Sequence, residues 1–318
     1  MKTSLLTLTL AAAAVLATTP AQAQETKVAI GMSGWTGFAP LTLAREAGLF
    51  KKHGLDVSIK MIPQKDRHLA IASGDIQCAA TTVETWIVWN ANGIAATQIF
   101  QLDKSYGADG MVVKPAITKI SDLKGKTVAA SAPGTAPYFT LAWMLSKNGL
   151  SVKDVNVVNL EPQAAANAMI AGTANLDAAM TYEPYLSAVR EKPEAGKIIA
   201  TTLDYPMIMD TFGCTPKFLA ENPKAARALA DGSFDALAMI AAEPATSFGI
   251  MGAAVKQTAE KFEASQKFLR WQDRAANQKF FAGEHLQFSK EAAQLLLEAG
   301  IIRQIPDLTK LADTRFIQ

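Results

Sequence analysis

Two cysteines and three histidines in 318 residues leave little room for metal or thiol chemistry. His53, His68 and His285 are scattered, and no spacing among them or to Cys78 and Cys214 is that of a ligand set. No Ser-His-Asp or Cys-His arrangement emerges from the pattern. Ala132-Pro133-Gly134-Thr135 is not a phosphate loop. No cofactor is therefore expected. Charge of one sign is also missing: 31 Lys and Arg against 29 Asp and Glu leave a net of +2. That is too small to point to a nucleic acid or an anionic membrane. Beyond the N-terminus no apolar run approaches the length of a membrane span, and there is no low-complexity tract or sequence repeat.

What the chain does have begins with Lys2, an apolar stretch from Leu5 to Leu16, and the small-x-small site Ala21-Gln22-Ala23. This is a secretory signal, too short to span a bilayer. Cleavage after Ala23 is expected, with residues 1–23 excluded from the fold. No cysteine stands near that site to carry a lipid, so the mature chain is expected to be periplasmic and to touch the membrane only through a partner. In an oxidising compartment Cys78 and Cys214, each in a strand-like apolar context, either form a disulfide or remain two buried thiols.

Lys27-Val-Ala-Ile-Gly-Met-Ser-Gly-Trp35-Thr-Gly-Phe38-Ala-Pro40 reads as a strand, then a Gly-rich turn carrying an aromatic. Leu41 to Ala47 continues as an amphipathic helix ending at Gly48, and Gly54 launches Asp56–Lys60 as the next strand. A helix over 67–73, with Asp66 as its N-cap, a strand over 76–80, a helix through Asn90 and a strand over 96–102 follow. This alternation predicts a parallel sheet covered on both faces. Gly107–Val113 looks like a strand leaving that unit. The alternation restarts over 127–131, with a helix over 139–148, a strand over 155–160, a helix over 163–171 and strands at 178–180 and 197–201. Met207–Cys214 looks like the return crossing. From Pro216 on the pattern is helical, including one helix over 258–270, and these helices are expected to complete the first lobe.

Several of these segments resemble nitrate/sulfonate/taurine-type solute-binding proteins, the periplasmic receptors of ABC importers. The marks are the first strand-turn-helix, Ser73-Gly74-Asp75-Ile76 before the third strand, Ile120-Ser-Asp-Leu-Lys-Gly-Lys126-Thr-Val before the second lobe, and Tyr182-Glu183-Pro184; the resemblance covers most of residues 27–210. The resemblance implies an α/β, two-lobed periplasmic-binding-protein fold (type II-like), each lobe a mainly parallel sheet flanked by helices, joined by a two-strand hinge. Lobe 1 would comprise residues 24–110 and 211–318, and lobe 2 residues 111–210. The chain would act as a monomer, without enzymatic activity, alongside an ABC permease and its ATPase.

Open α/β sheets bind ligands beyond the carboxyl ends of their strands. Here that selects Ser33–Phe38, Thr81–Trp86, Asp103–Asp109, Ser131–Tyr138, Tyr182–Glu183 and Asp210. These loops are rich in carboxylates and aromatics; Arg is absent and Lys104 is their one cation. The candidate ligand-binding set is Trp35, Phe38, Glu84, Trp86, Tyr106, Asp109, Tyr138, Glu183 and Asp210. Arg67 and His68, at a helix start, are expected to be solvated. A sulfonate or nitrate wants Arg forks and free helix amides, yet Pro133 and Pro137 each remove a donor. A carboxylate in a partly dry cleft repels an anion by about 4 kcal/mol at close range. The composition therefore points to a small planar nitrogen compound, guanidinium-like or urea-like. The alternatives are a receptor for taurine, an aliphatic sulfonate or nitrate, and an enzyme of pyrimidine-synthesis type on the same fold.

Overall fold

The computed structural model describes residues 25–318. The expected secretory segment, residues 1–23, lies outside the described residues. The strands are β1 (Thr26–Met32), β2 (Leu55–Met61), β3 (Cys78–Thr82), β4 (Thr97–Ser105), β5 (Asp109–Val113), β6 (Thr127–Ala130), β7 (Asn156–Asn159), β8 (Ala178–Tyr182), β9 (Lys197–Thr201), β10 (Met209–Cys214) and β11 (Leu269–Trp271). They form a six-stranded sheet ordered β11-β4-β10-β3-β1-β2 and a five-stranded sheet ordered β7-β6-β8-β5-β9.

The strand–helix alternation does what the sequence predicts. Gly48 (φ 71°) and Gly54 (φ 76°) reverse the chain between the first helix and β2 in the left-handed conformation that glycine tolerates. β1 then pairs in parallel with β2 and β3, and β6 with β7 and β8. Each sheet also takes in a strand from the crossing connections. β10 is antiparallel to both β3 and β4, and β5 is antiparallel to β8 and β9. A strand arriving from the other sheet runs against the direction of the local βαβ units, so the mostly parallel sheets expected from the alternation are mixed.

The chain crosses between the sheets twice, after β4 and before β10. The two crossings hold each other: Ser105 N–H donates to Ile208 O at 3.1 Å, and Gly107 N–H donates to the Thr202 hydroxyl at 2.8 Å. The crossing strand β10 is anchored in the first sheet in two ways. Cys78 and Cys214, register partners on β3 and β10, form a disulfide. Phe212 stacks on Phe100 of β4 with ring centroids 4.9 Å apart, which contributes about 0.5–1.5 kcal/mol beyond simple burial.

Three departures from the sequence pattern matter. The segment expected as one helix over 258–270 breaks after Gln266, and Leu269–Trp271 becomes β11, paired with Asp103–Ser105. Its three residues alternate in burial, a strand signal too short to stand out. Asp66 is not an N-cap, because the helix starts earlier, at Gln64 behind Pro63. The helix His285–Glu298, expected on the first lobe, buries Phe288, Ala292, Ala293 and Leu296 with Val83 and Ile87 and with the second-sheet residues Met111 and Val128. It thereby packs on both sides of the crossing.

Candidate ligand cleft

Between the two sheets the strand ends enclose a small cavity of ≈ 20 Å³, lined by Ser33, Trp35, Phe38, Gln64, Arg67, Thr82, Asp109, Ala136, Tyr182, Ile208 and Asp210. That is room for one or two water-sized groups, so a larger solute enters only if the lobes part. A roomier open depression on the outer face, ≈ 550 Å³ around Ile59, Met61 and Ile250, holds Arg45 and Glu46, which pair with each other.

The cavity's floor is a cluster of fully buried acids. Asp103 and Asp210 are register partners on the adjacent antiparallel strands β4 and β10, and each carboxyl group raises the other's electrostatic cost of ionising. The indole N–H of Trp35 donates to both oxygens of Asp103 at 3.3 Å, and the indole meets Tyr182 edge to face at 5.4 Å. Gly37 makes this approach feasible, since a Cβ there would fall 2.2 Å from Asp103 Oδ2 and from Trp35 Nε1. Asp109 heads β5 and leaves Oδ2 without a partner. Glu84, in the first turn of the helix Val83–Ala91, accepts from the Thr82 hydroxyl with one oxygen, and its buried Oε2 has no partner.

Burial dominates the electrostatics. Loss of water pushes Glu84 up to about 8, the Thr82 hydrogen bond opposing and the Asp109 charge adding. Asp103 is likewise pushed up to about 8 by burial, against the Trp35 hydrogen bond, and Asp109 to about 7. Asp210 rises well above the usual carboxylate range through burial and then the charges of Asp103, Asp109 and Glu84. The one cation lining the cavity is Arg67. Three of its five N–H groups are on backbone: Nε and Nη2 reach Ile62 O at 3.2 and 3.0 Å, and Nη1 reaches Ala80 O. Burial lowers its pKa to about 10, with Tyr182, Asp210 and Glu161 pulling the other way.

The nine sequence candidates divide. Trp35, Phe38, Asp109 and Asp210 line the cavity. Glu84 belongs to the same acid cluster one step behind Thr82. Four lie elsewhere. Trp86 is core: its indole donates to Thr211 Oγ1 at 2.8 Å and packs edge-on against Trp89 at 4.8 Å. Tyr106 is exposed at the crossing, with the Arg270 guanidinium 4.1 Å above its ring. Tyr138 is half-buried against the apolar cluster of the second sheet. Glu183 is buried in an ion pair with Arg190 and accepts from Ser187 N–H at 3.2 Å, so its charge is already matched.

Ser33, Gln64, Arg67, Thr82 and Tyr182 are the cavity's further polar lining residues, and Asp103 stands behind them, held by Trp35. Asp103 and Tyr182 stood in the selected loops. Gln64 and Arg67 precede the helix start the sequence suggested or sit at it, and Arg67 shares its buried face with Ile71, four residues on. That i, i+4 spacing was the available signal.

The fold and cavity define a two-lobed α/β clamp with its polar groups gathered where two crossing strands meet. Residues 35–247 match the family model described as "NMT1/THI5 like", and the chain belongs to this family. A binding protein of Brucella abortus is 24% identical over 213 residues, an alignment covering 65% of this chain and 65% of that one. The taurine-binding periplasmic protein of Escherichia coli is 27% identical over 182 residues, covering 55% of this chain and 54% of the relative. The chain thus matches less than two thirds of the length of these relatives. Among solved structures, the alkanesulfonate-binding protein SsuA of Xanthomonas axonopodis, bound to MOPS, superposes with a TM-score of 0.78 at 17% identity, covering 92% of this chain and 99% of that one. The nitrate-binding protein NrtA of Synechocystis gives 0.64 at 19% identity, covering 89% and 92%. The fold is that of periplasmic binding proteins. No helix among the described residues is long and apolar enough to cross a membrane.

Proposed function

We propose that this chain is the periplasmic solute-binding component of an ABC importer and that it captures a small, planar, cationic nitrogen compound of guanidinium type. Lobe 1 comprises residues 24–110 and 211–318, lobe 2 residues 111–210, and the solute sits between them. The family supports the receptor role. The ligand class rests on one observation: Glu84, Asp103, Asp109 and Asp210 are buried around a cavity whose one cation among the described residues, Arg67, has three of its five N–H groups on backbone carbonyls, so acids outnumber it. A guanidinium fork offers paired N–H donors to carboxylates, including the unpartnered Oδ2 of Asp109 and Oε2 of Glu84. The indole of Trp35 and the ring of Phe38 supply apolar faces for a planar cation. Urea has the same shape and fewer charges to offer.

The taurine- and sulfonate-binding relatives favour a second reading, in which Arg67 meets an anion. Against it, the N-terminus of the helix Ala136–Lys147, where an anion would find amides, is already engaged: Ala136 N–H donates to Gln64 Oε1 at 3.1 Å, and Pro137 has no N–H.

The test is a calorimetric titration of mature protein, stripped of ligand by unfolding and refolding, with guanidine, urea, a formamidine, taurine, an alkanesulfonate and nitrate. Saturable heat from guanidine or the formamidine supports the proposal, and heat from urea alone keeps the receptor role but rejects the cationic ligand. Heat from the anions alone rejects it in favour of the sulfonate reading. Turnover of any bound compound would reject the receptor role in favour of an enzyme.

A further inference from the structure

We propose that the Asp103–Asp210 pair is the specificity device of this cleft: it holds a shared proton when empty and exchanges that proton for a cationic ligand. The inference rests on the cationic-ligand reading above and adds to it the means by which a cation is told from a neutral molecule of the same shape.

Asp103 and Asp210 face each other across adjacent antiparallel strands, both inaccessible to solvent. Two carboxyl groups hydrogen-bond to each other only when one carries a proton, and two bare carboxylates so placed repel. The groups facing the pair do not supply a compensating charge. Trp35 Nε1 donates to Asp103 from the turn after β1. Asp109 and Glu84 add negative charge from β5 and from the helix Val83–Ala91. Arg67 is the one facing cation among the described residues, with three of its five N–H groups on backbone oxygens. Tyr182 on β8 is held protonated by burial. Glu161 faces Arg67 and Tyr182, and Glu183 is matched by Arg190. On the neighbouring strand positions Lys104 turns away to Glu284 at 2.5 Å, and Trp271 donates to Gly37 O at 3.1 Å. One cation against four acids leaves protons as the remaining neutralising charge, in keeping with the upward titration of all four.

The exchange balances simply. An incoming guanidinium brings +1 and its own N–H donors. The O–H bond of the pair breaks, the proton leaves to solvent, and the ligand's N–H groups take its place between the oxygens. Urea also donates N–H groups but brings no charge, so the proton stays and competes with it. Guanidinium capture therefore releases about one proton and strengthens as pH rises, whereas urea capture does neither.

The experiment titrates guanidinium and urea into the refolded protein between pH 5.5 and 8, in two buffers of different ionisation heat, with Asp103→Asn and Asp210→Asn beside the native chain. Expected for guanidinium are release of about one proton and a Kd that tightens by up to about tenfold per pH unit. The urea Kd should not move with pH. Each Asn variant should flatten the guanidinium profile. Should the variants fail to fold, the infrared carbonyl band of a buried carboxylic acid in the native, ligand-free protein at pH 7 reads the same proton, and its disappearance on guanidinium binding supports the exchange. Guanidinium binding with no proton release and a flat pH profile overturns this inference and leaves the ligand class standing. Binding of neither compound at any pH overturns the ligand class and this inference with it.

Discussion

Gln64 touches both lobes with the two ends of one carboxamide. Its Oε1 accepts from Ala136 N–H at 3.1 Å, at the first turn of a helix on the second sheet. Its Nε2 donates to Thr81 and Thr85 at 2.9 Å each, at the end of β3 and the start of the following helix. Thr85 continues the link by donating to Gly134 O at 3.2 Å. The roof of the cavity is therefore a hydrogen-bonded latch between elements that must separate for a solute to enter.

Gln64→Ala removes the latch without touching the acid cluster. Each lost hydrogen bond is worth about 0.5–1.5 kcal/mol, and the one lost to Ala136 exists only while the lobes are closed. Ligand binding to the closed state weakens accordingly, because the closed population falls. The expected result is a two- to tenfold rise in Kd (about 0.5–1.5 kcal/mol) with little change in thermal stability. Small-angle scattering should report a larger radius of gyration for the ligand-free variant. An unchanged Kd and radius would mean that closure does not depend on this link.

Glu84→Gln tests the charge argument at an acid that stands behind Thr82 with one buried oxygen unpartnered. The substitution keeps the shape and the contact to Thr82 but removes the ability to ionise against a cation. A charge-assisted hydrogen bond is about twice as strong as a neutral one, so guanidinium should lose about tenfold or more in affinity and urea less than about threefold. Equal losses for both would show that Glu84 shapes the cleft and does not provide its charge.

The fold was readable because its signals are periodic. Alternating strands and amphipathic helices, punctuated by Gly48, Gly54 and Gly74, and two crossings near Gly107 and Met207 define the lobes. The site was readable in part. Trp35, Phe38, Asp109 and Asp210 sit at strand ends, and the rule for open sheets finds strand ends. Trp86 and Tyr138 were misplaced because an aromatic in a loop-proximal turn has the same sequence signature whether it faces the cleft or the core. Trp86 is claimed by a partner on a distant strand, Thr211, and that pairing exists only in three dimensions. Glu183 carried the right motif, but Arg190, seven residues on, takes its charge. Arg67 gave the opposite error: a charged residue near a helix start reads as solvated, while its guanidinium is consumed by carbonyls of the loop before it and of β3.

The acid cluster should give the ligand-free protein an inverted pH profile of stability. Glu84, Asp103 and Asp109 titrate at about 8, 8 and 7 in the folded state, against about 4 in an unfolded chain. Between those values the folded state holds protons that the unfolded state has lost, so stability is greatest near pH 4–5 and falls as pH rises towards 8. Exposed carboxylates with lowered values, such as Asp122 and Asp154, act only below about pH 4. A loss of a few kcal/mol corresponds to a melting temperature lower by about 5–10 °C at pH 8 than at pH 5. Saturating guanidinium should flatten the curve by substituting for the protons. Thermal unfolding by circular dichroism across this range checks it, and a melting temperature that climbs with pH would mean that the acids are ionised in the empty cleft.

Trp86 and Trp35 are both buried indoles whose N–H has a defined acceptor, and they should respond to mutation in opposite ways. Trp86 binds Thr211, which itself donates to Gln98 Oε1 at 2.9 Å, so Trp86→Phe breaks a buried chain on the side of β10 away from the solute. The cost is the lost volume plus a hydroxyl deprived of its donor, about 2–4 kcal/mol of stability, with ligand affinity within about threefold of native in samples that remain folded. Trp35→Phe removes the donor to Asp103 and leaves the edge contact with Tyr182. It should cost less stability but weaken a cationic ligand by about tenfold, because Asp103 loses its orienting partner and the cleft loses the better cation-binding ring. Chemical denaturation and calorimetry on the two variants separate the effects. Were Trp86→Phe the one to lose affinity, the solute would have to lie on the Thr211 side of β10, and the cavity around Asp103 and Asp210 would be a structural void.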